Sequence, residues 1–271
     1  MINRQLLRKE FKQAKTMLMI WTIVILSLSF LFMLIFLSVK SVSHDINLGN
    51  LKIISSADWF AGVANNIVIV WPIFASILGI TLLGKEVREQ YGEYLYSMPL
   101  SRQTVWATKM CFGMFAILIV NVLFVIVMTG MTIAVGVPDL LPNGSQIGGM
   151  FVYFGLNIVM QLVIFLFCFG LGSALNKKAS LGLSIGVGIG FLIVNMIIQA
   201  LYAVVDKTVF DILLYLCPLN FADSLIVMPF ISKIISTDEF VIHTLIAVPW
   251  ILLCLGVLWW GRRKFMLSDF A

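Results

Sequence analysis

Charge is scarce in this sequence. Only 11% of its 271 residues are Asp, Glu, Lys or Arg, whereas about 25% is usual in soluble globular proteins. Hydrophobic residues make up 61%, and the mean hydropathy is +1.05. A soluble protein of this length could not bury so much apolar surface, so we expect lipid to be its solvent. This excludes a soluble enzyme, a nucleic-acid-binding domain and a disordered chain.

Residues that build metal sites and catalytic centres are also few. The four cysteines lie in separate apolar stretches without ligand spacing, and there are only two histidines. Residues 79–86 match most of a phosphate-binding loop, but Glu86 stands where a Ser or Thr should reach Mg²⁺. Residues 182–186 match a serine nucleophile elbow but lack its strand–turn–helix context and a nearby histidine. We therefore expect no catalytic site, metal or cofactor on this chain.

Long apolar runs dominate the sequence. A bilayer core of about 30 Å needs about 20 apolar residues per helix. Six runs meet this requirement: Met17–Val39, Phe60–Leu83, Val105–Val135, Gly149–Leu175, Ala179–Val205 and Phe240–Trp260. Because the backbone cannot cross lipid without internal hydrogen bonds, we predict an all-α integral membrane protein with six transmembrane helices. They form a single transmembrane domain over residues 1–271.

The distribution of basic residues predicts the orientation. Fourteen of the 18 Lys and Arg residues fall on the side that holds both termini. Cytoplasmic loops carry such an excess, so we predict a multi-pass plasma-membrane protein with both termini in the cytoplasm. No charged residue lies in the middle of a span, which disfavours a proton-driven carrier.

Residues 1–16 precede the first span as an amphipathic segment. Ile2, Leu6, Leu7, Phe11 and Ala14 share one half of a helical wheel, and a basic stripe lies opposite. This pattern is typical of an elbow helix lying in the headgroup layer. The segment is either a simple positive-inside anchor or an elbow that also contacts a cytoplasmic partner.

Residues 85–101 are far more polar than a turn between two spans requires. They combine charges of both signs with an apolar strip at helical spacing. Pro99 ends this predicted helix, and Ser101 is placed to cap the next one. The segment is either a surface helix on the headgroups or a docking surface for a soluble protein.

Amides and glycines are the unusual residues within the spans. The amides are either interhelical hydrogen-bonding groups or the lining of a weakly polar cavity. The glycines, at four-residue intervals, provide either intrachain packing or a face at a dimer contact or along the transport path. These substrate-path or packing candidates are Asn121, Asn157, Gln161, Gly182, Gly186, Gly190, Asn195 and Gln199.

The run 89–95, followed by residues 97–102 and by Lys109, resembles the cytoplasmic loop of type-2 ATP-binding-cassette (ABC) transporter permeases. The usual Gly–Thr pair of that loop is Gly92–Glu93 here. The resemblance extends to the basic N-terminal helix, the six spans, the basic turn at 176–178 and the basic end at 261–264.

This resemblance implies a permease subunit without an ATPase of its own. Residues 85–101 would be a coupling helix seated on a separate cytoplasmic ABC ATPase, which would bind the ATP and Mg²⁺. The residues implied in this contact are Glu86, Arg88, Glu89, Tyr91, Gly92, Glu93, Leu95, Pro99 and Arg102. Two ATPases and two permease copies, as a homodimer, would form the transporter. Residues 206–239 would be an extracellular loop with short re-entrant helices.

We therefore predict an ATP-driven exporter that moves a hydrophobic or amphipathic substrate, such as a peptide, an antibiotic or a lipid-like molecule. The alternative is an ATP-independent channel, secondary carrier or membrane assembly factor.

Overall fold

The computed structural model describes residues 4–45, 70–88, 101–134, 144–175, 180–201, 219 and 237–267. All regular secondary structure in these residues is helical, which confirms the all-α prediction for them. The six helices are α1 (Arg4–Asp45), α2 (Val70–Arg88), α3 (Arg102–Ala134), α4 (Gly144–Leu175), α5 (Leu181–Leu201) and α6 (Thr237–Leu267).

Four described helices contain a stretch long and apolar enough to cross a membrane. These stretches are Arg4–Leu31, Arg102–Val127, Asn157–Leu175 and Leu181–Ile198. The apolar part of α2, Val70–Leu83, is shorter. Each of the six predicted spans overlaps one helix, and the complete six-span layout stays a prediction.

The N-terminal helix differs from its predicted form. We expected an elbow over residues 1–16 and a separate first span, but α1 runs as one continuous helix of 42 residues from Arg4. At 1.5 Å per residue it is about 63 Å long, which exceeds the ~40–45 Å of a bilayer with its headgroups. The chain has no helix breaker between Arg4 and the first span, so the helical hydrogen bonds continue through Thr16.

Helix α2 is the centre of the bundle. It packs along α4 and α5 and also contacts α3, and most of its side chains between Trp71 and Leu83 are buried. Aromatic rings extend this core sideways, because Trp71 contacts Phe124 of α3 and Phe74 contacts Trp21 of α1. A central helix with apolar residues all round is typical of burial on every side.

Glycines allow α2 and α4 to pack unusually close together. A Cβ atom on Gly79 would lie 2.7 Å from Cβ of Cys168, and one on Gly172 would lie 2.9 Å from Cα of Ile80. Small residues at such positions let two backbones approach and gain dispersion contacts in lipid. They hold α2 against α4 along one side of the bundle.

Successive helices run in alternating directions. Near the beginning of α3, Trp106 contacts Ser173 near the end of α4, and further along Asn121 contacts Gln161. These contacts make α3 and α4 antiparallel. The remaining interhelical contacts place α1, α3 and α5 in one direction and α2, α4 and α6 in the other.

The basic side chains that the structure describes all lie toward one end of the bundle, where α1 and α3 begin and α6 ends. They are Arg4, Arg8, Lys9, Lys12, Lys15, Arg102, Lys109, Arg262, Arg263 and Lys264. Trp259 and Trp260 precede the last three and are exposed, and Arg263 lies over the ring of Trp259 at 5.7 Å. Tryptophan beside basic residues is typical of the membrane–water interface. We call this region the basic end of the bundle.

Two predicted features fall largely outside the described residues. These are the central part of the coupling helix, residues 89–100, and the extracellular loop at 206–239, of which the structure describes only Leu219 and the beginning of α6. Pro249 lies inside α6 as predicted, and Pro72 is the third residue of α2 as described.

Candidate functional site

The first turn of α3 is fixed by its N-cap. The backbone N–H of Thr104 donates to Oγ of Ser101 at 3.2 Å, and that of Val105 donates to the carbonyl of Ser101 at 3.1 Å. This confirms that Ser101 caps the helix, as its place after Pro99 predicted. The predicted coupling segment therefore leads directly into a rigid helical turn.

Three side chains on one face of the first turns of α3 form hydrogen bonds with other helices. Arg102, Trp106 and Lys109 are spaced i, i+4 and i+7, so they lie along one stripe of the helix. Nη1 of Arg102 donates to the carbonyl of Met266 in α6 at 2.9 Å. Nε1 of Trp106 donates to Oγ of Ser173 in α4 at 3.1 Å. The beginning of α3 is thus joined to the ends of α4 and α6.

Lys109 joins α3 to two more helices. Its Nζ donates to Oε1 of Glu10 in α1 at 2.8 Å and to the carbonyl of Leu82 in α2 at 3.0 Å. The side chains of Lys109 and Glu10 are only 1% and 5% exposed. A charge pair with so little water contact interacts strongly, but both charges also lose their hydration.

A small cleft lies beside this ion pair. Glu10, Gln13, Thr81 and Lys109 supply its polar lining, and α1 and α2 supply apolar side chains. Its volume is about 90 Å³, which is room for about three water molecules. The cleft is therefore far too small for a peptide, antibiotic or lipid.

Further into the bundle, three of the predicted amides form one cluster. Gln161 and Asn121 exchange hydrogen bonds in both directions at 2.8 and 3.1 Å, and Nε2 of Gln161 also donates to Oδ1 of Asn157 at 2.8 Å. All three side chains are at most 1% exposed. In this conformation the amides bind one another across α3 and α4 and do not line an open cavity.

The predicted glycine face is not used for packing between the described helices. A Cβ atom on Gly182, Gly186 or Gly190 would meet no described atom within 4 Å. The glycine that packs α5 against α2 is Gly188, on the opposite side of the helix. Intrachain packing was the wrong interpretation of these three glycines within the described structure, and a role at a dimer contact or along the path stays a prediction.

The remaining candidates are only partly described. Glu86 and Arg88 belong to the last turns of α2, whereas Glu89, Tyr91, Gly92, Glu93, Leu95 and Pro99 lie outside the described residues. Asn195 is in α5, and its buried Oδ1 has no hydrogen-bond partner among the residues that the structure describes. The side chain of Gln199 lies outside the described structure, so its predicted pairing with Asn195 is untested.

Sequence reasoning did not find the pairing of Glu10 with Lys109. A signal was present, because Glu10 is the only acidic residue before the first span and lies four positions from both Leu6 and Ala14. An acidic residue within the apolar face of an amphipathic helix needs a cationic partner when that face is buried. The sequence does not indicate which of the 18 basic residues is that partner.

The geometry defines a multi-pass helical membrane protein whose helix ends converge on the beginning of α3. The family model described as ABC-2 family transporter protein matches residues 4–265. The chain therefore belongs to the ABC-2 transporter family, which confirms the resemblance to type-2 ABC permeases. This family is a membrane component of transport and associates with an ABC ATPase subunit. No individually curated protein matches the sequence.

Proposed function

We propose that the protein is the permease of an ATP-driven exporter in the plasma membrane, with both termini in the cytoplasm. The observation that carries this proposal is the set of contacts at the beginning of α3. The predicted coupling segment, residues 85–101, begins in the last turn of α2 and ends at the N-cap of α3. The first turns of α3 contact α1, α2, α4 and α6. A force applied to this connection by a soluble partner would therefore reach most of the bundle.

The orientation is supported by the basic end of the bundle. If that end faces the cytoplasm, as the excess of Lys and Arg predicts, then residues 85–101 face the cytoplasm as well. A cytoplasmic ABC ATPase could then bind the coupling helix, and ATP and Mg²⁺ would be bound by that subunit.

The working assembly would contain two permease copies and two ATPases. A second copy is supported by the face of α5 on which Gly182 and Gly186 meet no described atom, because these glycines would allow another helix to approach closely. ATP-driven closure of the ATPases would tilt α2 and α3 and switch a cavity between the two copies from inward-open to outward-open. The absence of charged residues from the middle of the predicted spans favours a hydrophobic or amphipathic cargo, such as a peptide, an antibiotic or a lipid-like molecule.

The test begins with purification of the tagged protein from its own host. We expect an ABC ATPase to co-purify and the complex to hydrolyse ATP. The variant Glu89→Arg should insert normally but lose ATPase binding, because it reverses a charge within the coupling helix. The matched control Glu239→Arg reverses a charge near the beginning of α6, on the predicted outer side, and should retain binding.

Failure of the unmodified protein to associate with any ATPase would contradict this function. It would favour the alternative of an ATP-independent channel, carrier or assembly factor.

A further inference from the structure

The burial of Lys109 is not explained by membrane orientation. Basic residues that orient a membrane protein act from the water-exposed surface, and Lys12 and Lys15 of α1 are exposed in this way. Lys109 is instead buried in the bundle and bonded to Glu10 and to the carbonyl of Leu82. Lys109 therefore has a role other than orienting the protein in the membrane.

The ion pair is also a costly way to hold two helices together. Apolar residues of similar size often replace a buried ion pair with equal or greater stability. An apolar contact already exists beside the pair, since the rings of Phe11 and Phe112 meet edge to face at 4.9 Å. The ion pair differs from this ring contact because it joins particular atoms in a set geometry. It therefore fixes the position of α1 along α3.

Helix α1 is the helix that most needs such a contact to hold its position in the bundle. It packs mainly along α3, and only 11% of its most apolar stretch is buried, the lowest share among the four stretches that are long enough to cross a membrane. In lipid there is no hydrophobic driving force between helices, because the lipid tails are as apolar as the side chains. Apolar contacts alone would therefore allow α1 to slide along α3 when α3 moves.

The position of the pair connects α1 to the predicted coupling segment. Leu82 lies six residues before the end of α2, and Lys109 lies seven residues after the beginning of α3. The two residues therefore flank the connection on which the ATPase is proposed to act. Nζ of Lys109 contacts α1 and α2 at the same time.

We propose that Glu10 and Lys109 are positioning residues that make α1 follow the movement of the α2–α3 connection during the ATPase cycle. This inference rests on the proposed function, because it assigns a role to the pair within that cycle. Glu10 and Lys109 need not contact the ATPase or the substrate for this role.

The test uses the complete permease–ATPase complex in lipid nanodiscs, with genetically encoded spin labels replacing Lys12 of α1 and Gln103 of α3. Both positions are exposed. When Glu10 and Lys109 are unmodified, the distance distribution between the labels should be equally narrow without nucleotide and after trapping with ATP and vanadate.

In the variant Glu10→Gln with Lys109→Met, both charges are removed together and the side-chain volumes are nearly kept. Its distribution should broaden on trapping, and permease-dependent stimulation of the ATPase should fall about fivefold or more.

Two further variants separate positioning from packing. Lys109→Arg keeps a cation that can bind Glu10, and it should restore most of the stimulation. Phe11→Leu changes the neighbouring ring contact without changing charge, and its distribution should stay narrow on trapping.

The proposal is overturned if the neutral double variant keeps a narrow distribution and full stimulation, because the pair would then be replaceable by packing. It is also overturned if that variant no longer binds the ATPase, which would assign the pair to docking. Absence of an ATPase partner for the unmodified protein would contradict the proposed function itself, so the two failures are distinguishable.

Discussion

Oγ of Ser76 in α2 lies 2.8 Å from the carbonyl oxygen of Ser184 in α5, and the hydroxyl donates across the helix interface. This hydrogen bond is possible because Gly188, one turn further along α5, has no side chain. A Cβ atom there would lie 2.6 Å from Oγ of Ser76 and 2.8 Å from Cα of Ile73. The contact between α2 and α5 therefore depends on a single glycine that lies outside the predicted glycine face.

Substitution at Gly188 should disrupt this interface. Gly188→Ala would force α5 away from α2, and we expect a loss of stability of about 1–3 kcal/mol, typical of an overfilled site. Thermal unfolding of the purified protein in detergent would measure the loss.

Gly186→Ala is the matched control, because its new methyl group meets no described atom within 4 Å. It should leave the unfolding temperature of the monomer unchanged. If this variant instead weakens association between two copies, this face of α5 is a subunit contact. Equal destabilisation by both variants would contradict the different environments of the two glycines.

Removal of the Lys109 charge alone should lower the free energy of unfolding more than removal of both charges. Lys109→Met leaves the carboxylate of Glu10 buried without its cation, which typically costs about 3–5 kcal/mol. The double variant Glu10→Gln with Lys109→Met leaves no buried charge and should recover most of that loss. Unfolding in detergent would measure both, and equal losses in the single and double variants would show that the charges are not coupled.

The amide cluster should contribute a measurable share of stability. Gln161→Leu removes a partner of both Asn121 and Asn157, while Nδ2 of Asn121 keeps its bond to the carbonyl of Ile117. Interhelical hydrogen bonds in membranes contribute about 0.6 kcal/mol each on average, so we expect a loss of about 1–2 kcal/mol, including the cost of the two amide oxygens that lose the donor Gln161.

The control is Thr22→Val, which removes a hydroxyl whose bond is to the carbonyl of Leu18 within the same helix. It should have a clearly smaller effect on the unfolding temperature, because no contact between helices is lost. A larger loss in this control would argue against the cluster as a link between α3 and α4.

The orientation can be tested by chemical labelling of intact cells. Ser101 is exposed at the beginning of α3, and Asp45 is the last residue of α1 at the opposite end of the bundle. A cysteine in place of Asp45 should react with an impermeant maleimide added outside. A cysteine in place of Ser101 should react only after the cells are opened. The reverse pattern would place the coupling segment outside the cell, where no cytoplasmic ATPase could reach it.

The elements that sequence reasoning predicted well depend on local or averaged properties. Ser101 caps α3 because a cap requires only its own neighbours in the chain. Asn157 and Gln161 share a helix face because of their spacing alone, and the hydrogen bond between them follows from it. The separate elbow helix was not correct, because amphipathicity indicates which face is buried but does not indicate where a helix bends.

The sequence pattern also gave a wrong prediction of which face of α5 packs against another helix. Gly182, Gly186 and Gly190 form the more regular stripe, yet Gly188 makes the close contact. Either side of α5 is apolar enough to face lipid or another helix. The sequence pattern alone could not distinguish the two faces.

By itself, the amino-acid sequence determined that the chain is helical, that lipid is its solvent and that it belongs to a transporter family. These properties follow from composition, from the length of apolar runs and from a match over nearly the whole chain. Only the tertiary structure decided that Lys109 binds Glu10, although 98 residues separate them in the sequence, and that the first turns of α3 bond to α1, α2, α4 and α6. The reason is that lipid provides no hydrophobic preference between helix faces, so specific close packing and buried polar pairs select the partners.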